Sequence, residues 1–172
     1  MQASGSDQRA RAPLYTVEQR RRRDASGWTL VQGVLAPLQF IVFLVSLVLV
    51  LSYLVRGEGH DIAAASVGVK TLVLYTIMVT GCLWEKAVFG RYLFAPAFYW
   101  EDVFSMLVLA LHTAYLVALA LGLLGARGQM YLALAAYASY AINATQFLIK
   151  LRAARLDLAR TPVRSLSPGA PA

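Results

Sequence analysis

Four stretches of this chain carry almost no charge over lengths that match the thickness of a membrane. From Ala25 to Val55 there are 31 consecutive residues without Asp, Glu, Lys or Arg; Val103 to Ala126 adds 24, and Gly128 to Ile149 adds 22. A fourth run, Ile62 to Trp84, is 23 residues long and broken only by Lys70. A helix rises about 1.5 Å per residue, so roughly 20 apolar residues cross the hydrocarbon core. The strands of a transmembrane barrel would instead be about ten residues of alternating polarity. Only 15% of the chain is charged, against about 25% in a soluble domain. This excludes a soluble globular enzyme, a disordered tail and a secreted disulfide scaffold. The expected fold is all-α, a polytopic four-transmembrane-helix bundle with short outer loops. Its spans fall at about 28–55, 62–86, 102–124 and 129–151, within a membrane domain at 28–156. A polar basic arm (1–27), loose near Met1 to Arg11, precedes it, and an irregular tail (157–172) with Pro162, Pro168 and Pro171 follows.

The basic residues set the orientation. Arg9, Arg11 and Arg20 to Arg23 lie on the N-terminal arm, Lys86 and Arg91 by the second connection, and Lys150, Arg152, Arg155, Arg160 and Arg164 at the C-terminal end. Four spans place these segments on one side, and they hold thirteen of the sixteen Lys and Arg. The positive-inside rule therefore predicts both termini and the 87–101 loop in the cytoplasm. The net charge of +7 is read as topogenic and as contact with anionic membrane lipid, with no nucleic-acid partner, because no aromatics alternate with the basic arm. Arg20 to Arg23 is not a twin-arginine export signal: the apolar stretch behind it is too long and lacks a cleavage site. The single cysteine, Cys82, lies in the second span and reads as packing. The sequence has no glycine-rich phosphate loop and no Cys or His cluster with metal spacing.

The cytoplasmic connection has an unusual composition. Ala87 to Trp100 contains Phe89, Tyr92, Phe94, Phe98, Tyr99 and Trp100, with Gly90 and Pro96 interrupting helix, and Trp84 just ahead. Two readings stand: an aromatic belt at headgroup depth, or a platform of rings for a large planar apolar ligand. Glu85, Glu101 and Asp102 border this loop. Carboxyls beside the bases Lys86 and Arg91 and an apolar pocket have the composition of an acid–base site. Glu101 and Asp102 also suit the first turn of a helix, where negative charge is favoured.

Polar residues recur deeper. Ten residues beyond Asp102, His112 lies about 15 Å into the bilayer; Gln39 and Asn143 reach comparable depths and Gln146 lies nearer the surface. Glu101, Ser105, Val108 and His112 share one helical face. Such groups either bridge helices or mark a functional interior. Lys70, nearer the outer face, is expected to snorkel outward in a structural role.

The segments WTLVQGVLAPLQF (28–40), VKTLVLYTIMVTG (69–81), WEKAVFGRYLFAPAFYWEDVFSMLVLALHTAYL (84–116) and NATQFLIKLRAARL (143–156) resemble the 3-vinyl bacteriochlorophyllide hydratase family. The resemblance runs from about Leu14 to Leu156 and is most specific over 84–116. It implies a hydro-lyase that adds water across the C3 vinyl group of chlorophyllide a or 3-vinyl bacteriochlorophyllide during bacteriochlorophyll synthesis. It also implies a photosynthetic bacterium, a cytoplasmic or intracytoplasmic membrane, and other enzymes of that synthesis as partners. The family supplies no established list of catalytic residues. For the implied reaction, Glu101 and Glu85 are the leading acid and partner base, with Asp102 the second choice. Tyr99 and Trp100 are placed against the developing cation, with Trp84, Gln39, Asn143 and Gln146 lining the substrate. Lys86 and Arg91 are placed on its free propionate. No cofactor and no protein metal is expected; magnesium arrives inside the substrate, with His112 its candidate axial ligand. The competing class is a non-catalytic tetrapyrrole-binding carrier or assembly factor.

Overall fold

The computed structural model describes residues 14–160. It contains five helices in chain order: α1 (Val17–Ala25), α2 (Gly27–Arg56), α3 (His60–Phe89), α4 (Tyr99–Ala120) and α5 (Ala126–Arg160). Four of them, α2 to α5, are long and apolar enough to cross a membrane. The all-α, four-span reading therefore holds.

The connections explain the pairing. The turn from α2 to α3 is three residues, with Gly57 at φ 77° and Gly59 at φ 85°. Both angles lie in the left-handed region, which glycine adopts without a steric penalty. Such a short turn forces α2 and α3 into an antiparallel hairpin, and the short 121–125 turn does the same for α4 and α5. Within each hairpin the helices contact one another along most of their length; between hairpins they meet along a sparser seam. The faces turned to that seam follow helical spacing: Gln39, Phe43, Ser46 and Val50 on α2, and Ser105, Val108, His112 and Tyr115 on α4, all buried. Lipid-directed residues such as Leu30, Ile41, Val48, Leu72 and Leu148 are exposed, as suits a bundle solvated by hydrocarbon.

The N-terminal arm is more ordered than its composition suggests. Thr16 caps α1: its hydroxyl accepts from the Gln19 amide at 3.2 Å, and the Gln19 side chain accepts from the Thr16 amide at 2.9 Å. Tyr15, just ahead, is buried against Phe89 and Phe98, with ring centroids 5.9 and 6.3 Å away, and the Arg23 guanidinium lies 4.9 Å over its ring. Burial pushes the Tyr15 phenol above its ordinary range, and the Arg23 charge partly offsets this. Leu14, Trp84, Phe89, Phe98 and Phe147 complete an apolar cap over this end of the bundle. At the other terminus α5 continues to Arg160, into the region read as an irregular tail. Met1 to Arg11 and the tail prolines lie outside the described residues.

Candidate functional site

Under the apolar cap, Glu85 near the end of α3 and Asp102 at the start of α4 are both buried. Residues 90–98 fold back between them. Gly90 closes α3 at φ 79°, and Phe94 takes φ 58°, a conformation uncommon for a residue with a side chain. That backbone is held by the carboxyls: the Phe94 amide donates to Asp102 Oδ2 at 2.7 Å and the Ala95 amide to Glu85 Oε2 at 3.3 Å. The two carboxyls thus accept from adjacent backbone amides and are neighbours under the cap. Like charges buried side by side disfavour ionising both, which suits one proton held between them. Local strain at Phe94 thus coincides with a buried pair able to share a proton.

Glu101 stands apart from that pair. Its Oε2 lies 2.6 Å from Lys150 Nζ on α5, and the ammonium also lies 5.0 Å over the Phe98 ring. This short charge-assisted contact ties the start of α4 to α5. Phe98 stacks on Phe147 at 5.8 Å and meets Trp84 and Phe89 edge-on at 5.7 and 5.8 Å. The Trp84 indole donates to the Thr29 hydroxyl at 3.0 Å, which ties α3 to α2 beside the carboxyls.

The other residues expected at the site scatter. Tyr99 and Trp100 pack on each other at 5.5 Å but are 47% and 67% exposed, on the outside of the bundle. Lys86 donates to the Gly90 carbonyl at 3.1 Å and lies 5.0 Å over Tyr92; Arg91 is exposed on the same rim. Gln146 borders a shallow groove of about 350 Å³ on α5, with Ala141, Ile142, Thr145 and Ile149. Asn143 is buried and donates to Ser105 Oγ at 2.8 Å. Among the described residues no three His, Cys, Asp or Glu side chains gather to hold a metal ion.

A second polar region occupies the seam in mid-membrane. His112 is fully buried; its Nδ1 donates to the Val108 carbonyl at 2.8 Å, leaving the Nε2 lone pair without a partner. Its ring lies 5.9 Å from Tyr137, whose hydroxyl is 2.5 Å from Ser46 Oγ. Lys70 does not snorkel. It is 0% exposed, with Nζ 3.8 Å over the Tyr140 ring and 5.9 Å over Tyr137. Cation–π attraction to a desolvated ammonium reaches about 2 kcal/mol, less than the several kcal/mol effectively lost on burying an ion. Gln39, Tyr115 and one oxygen of Asn143 are likewise unpartnered.

Lys150, Lys70 and Tyr115 were not singled out as site residues by the sequence. Tyr115 extends the i, i+3 progression from His112 and was detectable by spacing; the partners of Lys150 and Lys70 depend on how the helices pack.

The comparisons with known proteins converge. A family model described as 2-vinyl bacteriochlorophyllide hydratase matches residues 15–153. The chain belongs to this family. A protein of Cereibacter sphaeroides named 2-vinyl bacteriochlorophyllide hydratase is 68% identical over 146 residues, covering 84% of this chain and 90% of that relative. A protein of Rhodobacter capsulatus with the same name is 65% identical over 150 residues, covering 87% of each. No solved structure matches the chain. The family's matched region takes in the carboxyls, the seam and the aromatic cap alike.

Proposed function

We propose that this chain adds water across the vinyl group of a bacteriochlorophyllide-type tetrapyrrole, with the Glu85–Asp102 pair as its proton carrier. Family membership makes it a hydratase of bacteriochlorophyll synthesis, and four apolar helices make it a membrane protein. The basic rim at Arg20 to Arg23, Lys86, Arg91, Lys150 and Arg152 supports a cytoplasmic position for both termini and for the carboxyl pair.

Water does not attack an unactivated alkene; the terminal vinyl carbon must first gain a proton. The pair supplies the proton, the carbon attached to the macrocycle becomes cationic, and the ring π system delocalises the charge. Water then bonds to that carbon, and the proton it loses returns to the pair, so no net proton is consumed. Glu101, paired with Lys150, is the acidic group beside the developing cation. The faces of Trp84 and Phe98 add the attraction of π systems for positive charge. Lys86 and Arg91 lie on the rim where a free propionate reaches water, and His112 contacts the macrocycle from the seam. Within this reading the proton donor is Glu85 with Asp102, and Glu101 is the charge beside it.

The observation that carries this reading is a pair of buried carboxyls held on adjacent loop amides under an aromatic cap. Its test is incubation of membranes containing the protein with chlorophyllide in isotopically labelled water. The label is expected in a 1-hydroxyethyl product; recovery of unchanged pigment would indicate a carrier instead.

A further inference from the structure

Lys70, His112, Gln39 and Tyr115 are each at least 99% buried, yet each keeps a polar atom without a hydrogen-bond partner among the described residues. Inside a membrane such groups are costly and water does not satisfy them freely. Their placement is not scattered. Lys70 and His112 approach from opposite hairpins and both lie 5.9 Å from the Tyr137 ring, the first by its ammonium, the second by its imidazole centroid. Gln39 is one helical turn from Phe43, which packs 4.9 Å from the Tyr140 ring beneath Lys70. All of them face the seam, where the two hairpins are least tightly joined.

The chemistry is specific. The Lys70 nitrogen carries N–H donors, so an acceptor oxygen fits it. The rings of Tyr137 and Tyr140 lie against it, and among the described residues it has no hydrogen-bond partner. Ten residues of α4, about 15 Å, separate Asp102 from His112. That distance is comparable with the breadth of a tetrapyrrole macrocycle. A ring whose vinyl group meets the carboxyl pair therefore brings its opposite edge to the level of His112, whose ring shares Tyr137 with the Lys70 nitrogen.

We infer that the seam between the hairpins is a recognition site for a ring carbonyl oxygen of the substrate, with Lys70 as donor and Gln39 and Tyr115 beside it. This rests on the tetrapyrrole reading given above. It makes Lys70 a specificity-determining residue. A substrate lacking that oxygen leaves the buried N–H donors unpaired, which costs more than the contact itself is worth.

The test is equilibrium binding, followed by pigment fluorescence, with the full chain in lipid nanodiscs. The parent chlorophyllide is compared with its deoxo analogue, which lacks the ring ketone. The wild-type protein is expected to bind the deoxo analogue about ten- to a hundredfold more weakly than the parent. Lys70→Met should weaken the parent by a similar factor and leave the deoxo analogue unaffected. Equal wild-type affinity for the two pigments overturns the inference without any variant being needed. So does a Lys70→Met protein that binds the parent normally or loses both alike. Failure of the wild-type protein to bind the parent refutes the tetrapyrrole reading itself. Binding requires no turnover, so an error in the carboxyl assignment leaves this result unchanged.

Discussion

The bundle holds two buried polar regions, and they are solved in opposite ways. At the end of the bundle closed by residues 90–98, Glu85 and Asp102 accept from consecutive loop amides, while Glu101 has Lys150. In the seam, Lys70, His112, Gln39 and Tyr115 each retain an unpartnered atom. An unpaired polar group in an apolar setting costs roughly 2–7 kcal/mol. The satisfied region is built to hold one geometry, which proton transfer requires. The unsatisfied one has polar atoms free to meet a ligand. On the proposed function, the difference separates chemistry from recognition within a single small bundle.

If that separation is right, substitutions at the two ends should split turnover from binding. The largest effect is expected at the carboxyl pair. Glu85→Gln and Asp102→Asn keep size and hydrogen-bonding capacity but remove the shared proton, and each should lower hydration about 100-fold or more. Pigment affinity should stay near wild type. Normal turnover in both variants would break the comparison at its chemical end.

His112 should behave in the reverse sense. His112→Gln retains a hydrogen bond but loses the free imidazole nitrogen, so pigment binding should weaken about tenfold, or 1.4 kcal/mol. The absorption band of bound pigment should shift if that nitrogen faces the magnesium. Unchanged affinity and spectrum would return His112 to bracing helices. The smallest effect belongs to Lys150→Met, which frees Glu101 from its partner. A partly exposed ion pair is worth about 1 kcal/mol, so turnover should fall only a few-fold, and Lys150→Arg should restore it.

How far the sequence reveals this arrangement depends on the range of the interaction. The four spans are visible because a soluble fold has no use for repeated charge-free runs of membrane length. The buried face of α4 is visible because Glu101, Ser105, Val108 and His112 follow helical spacing. The capping box of Thr16 and Gln19 is a local pattern that an emphasis on arginine charge obscured. By contrast, Glu101 and Lys150 are 49 positions apart and meet only through the packing of α4 on α5. Lys70 reads as a snorkelling residue until the hairpin shows which face of α3 is turned to the seam. Glu85 and Asp102 come to hold adjacent loop amides where residues 90–98 take a left-handed step at Phe94, which nothing in the local sequence requires.

The proposed sharing of a proton by Glu85 and Asp102 is the centre of this account, and vibrational spectroscopy tests it directly. Infrared difference spectra of the protein in lipid at neutral pH, taken between wild type and each variant, should show the carbonyl stretch of one protonated carboxyl group. That band should vanish in both Glu85→Gln and Asp102→Asn, because neither residue alone owns the proton. A wild-type spectrum without a protonated carboxyl, or a band that survives both substitutions, would contradict the assignment.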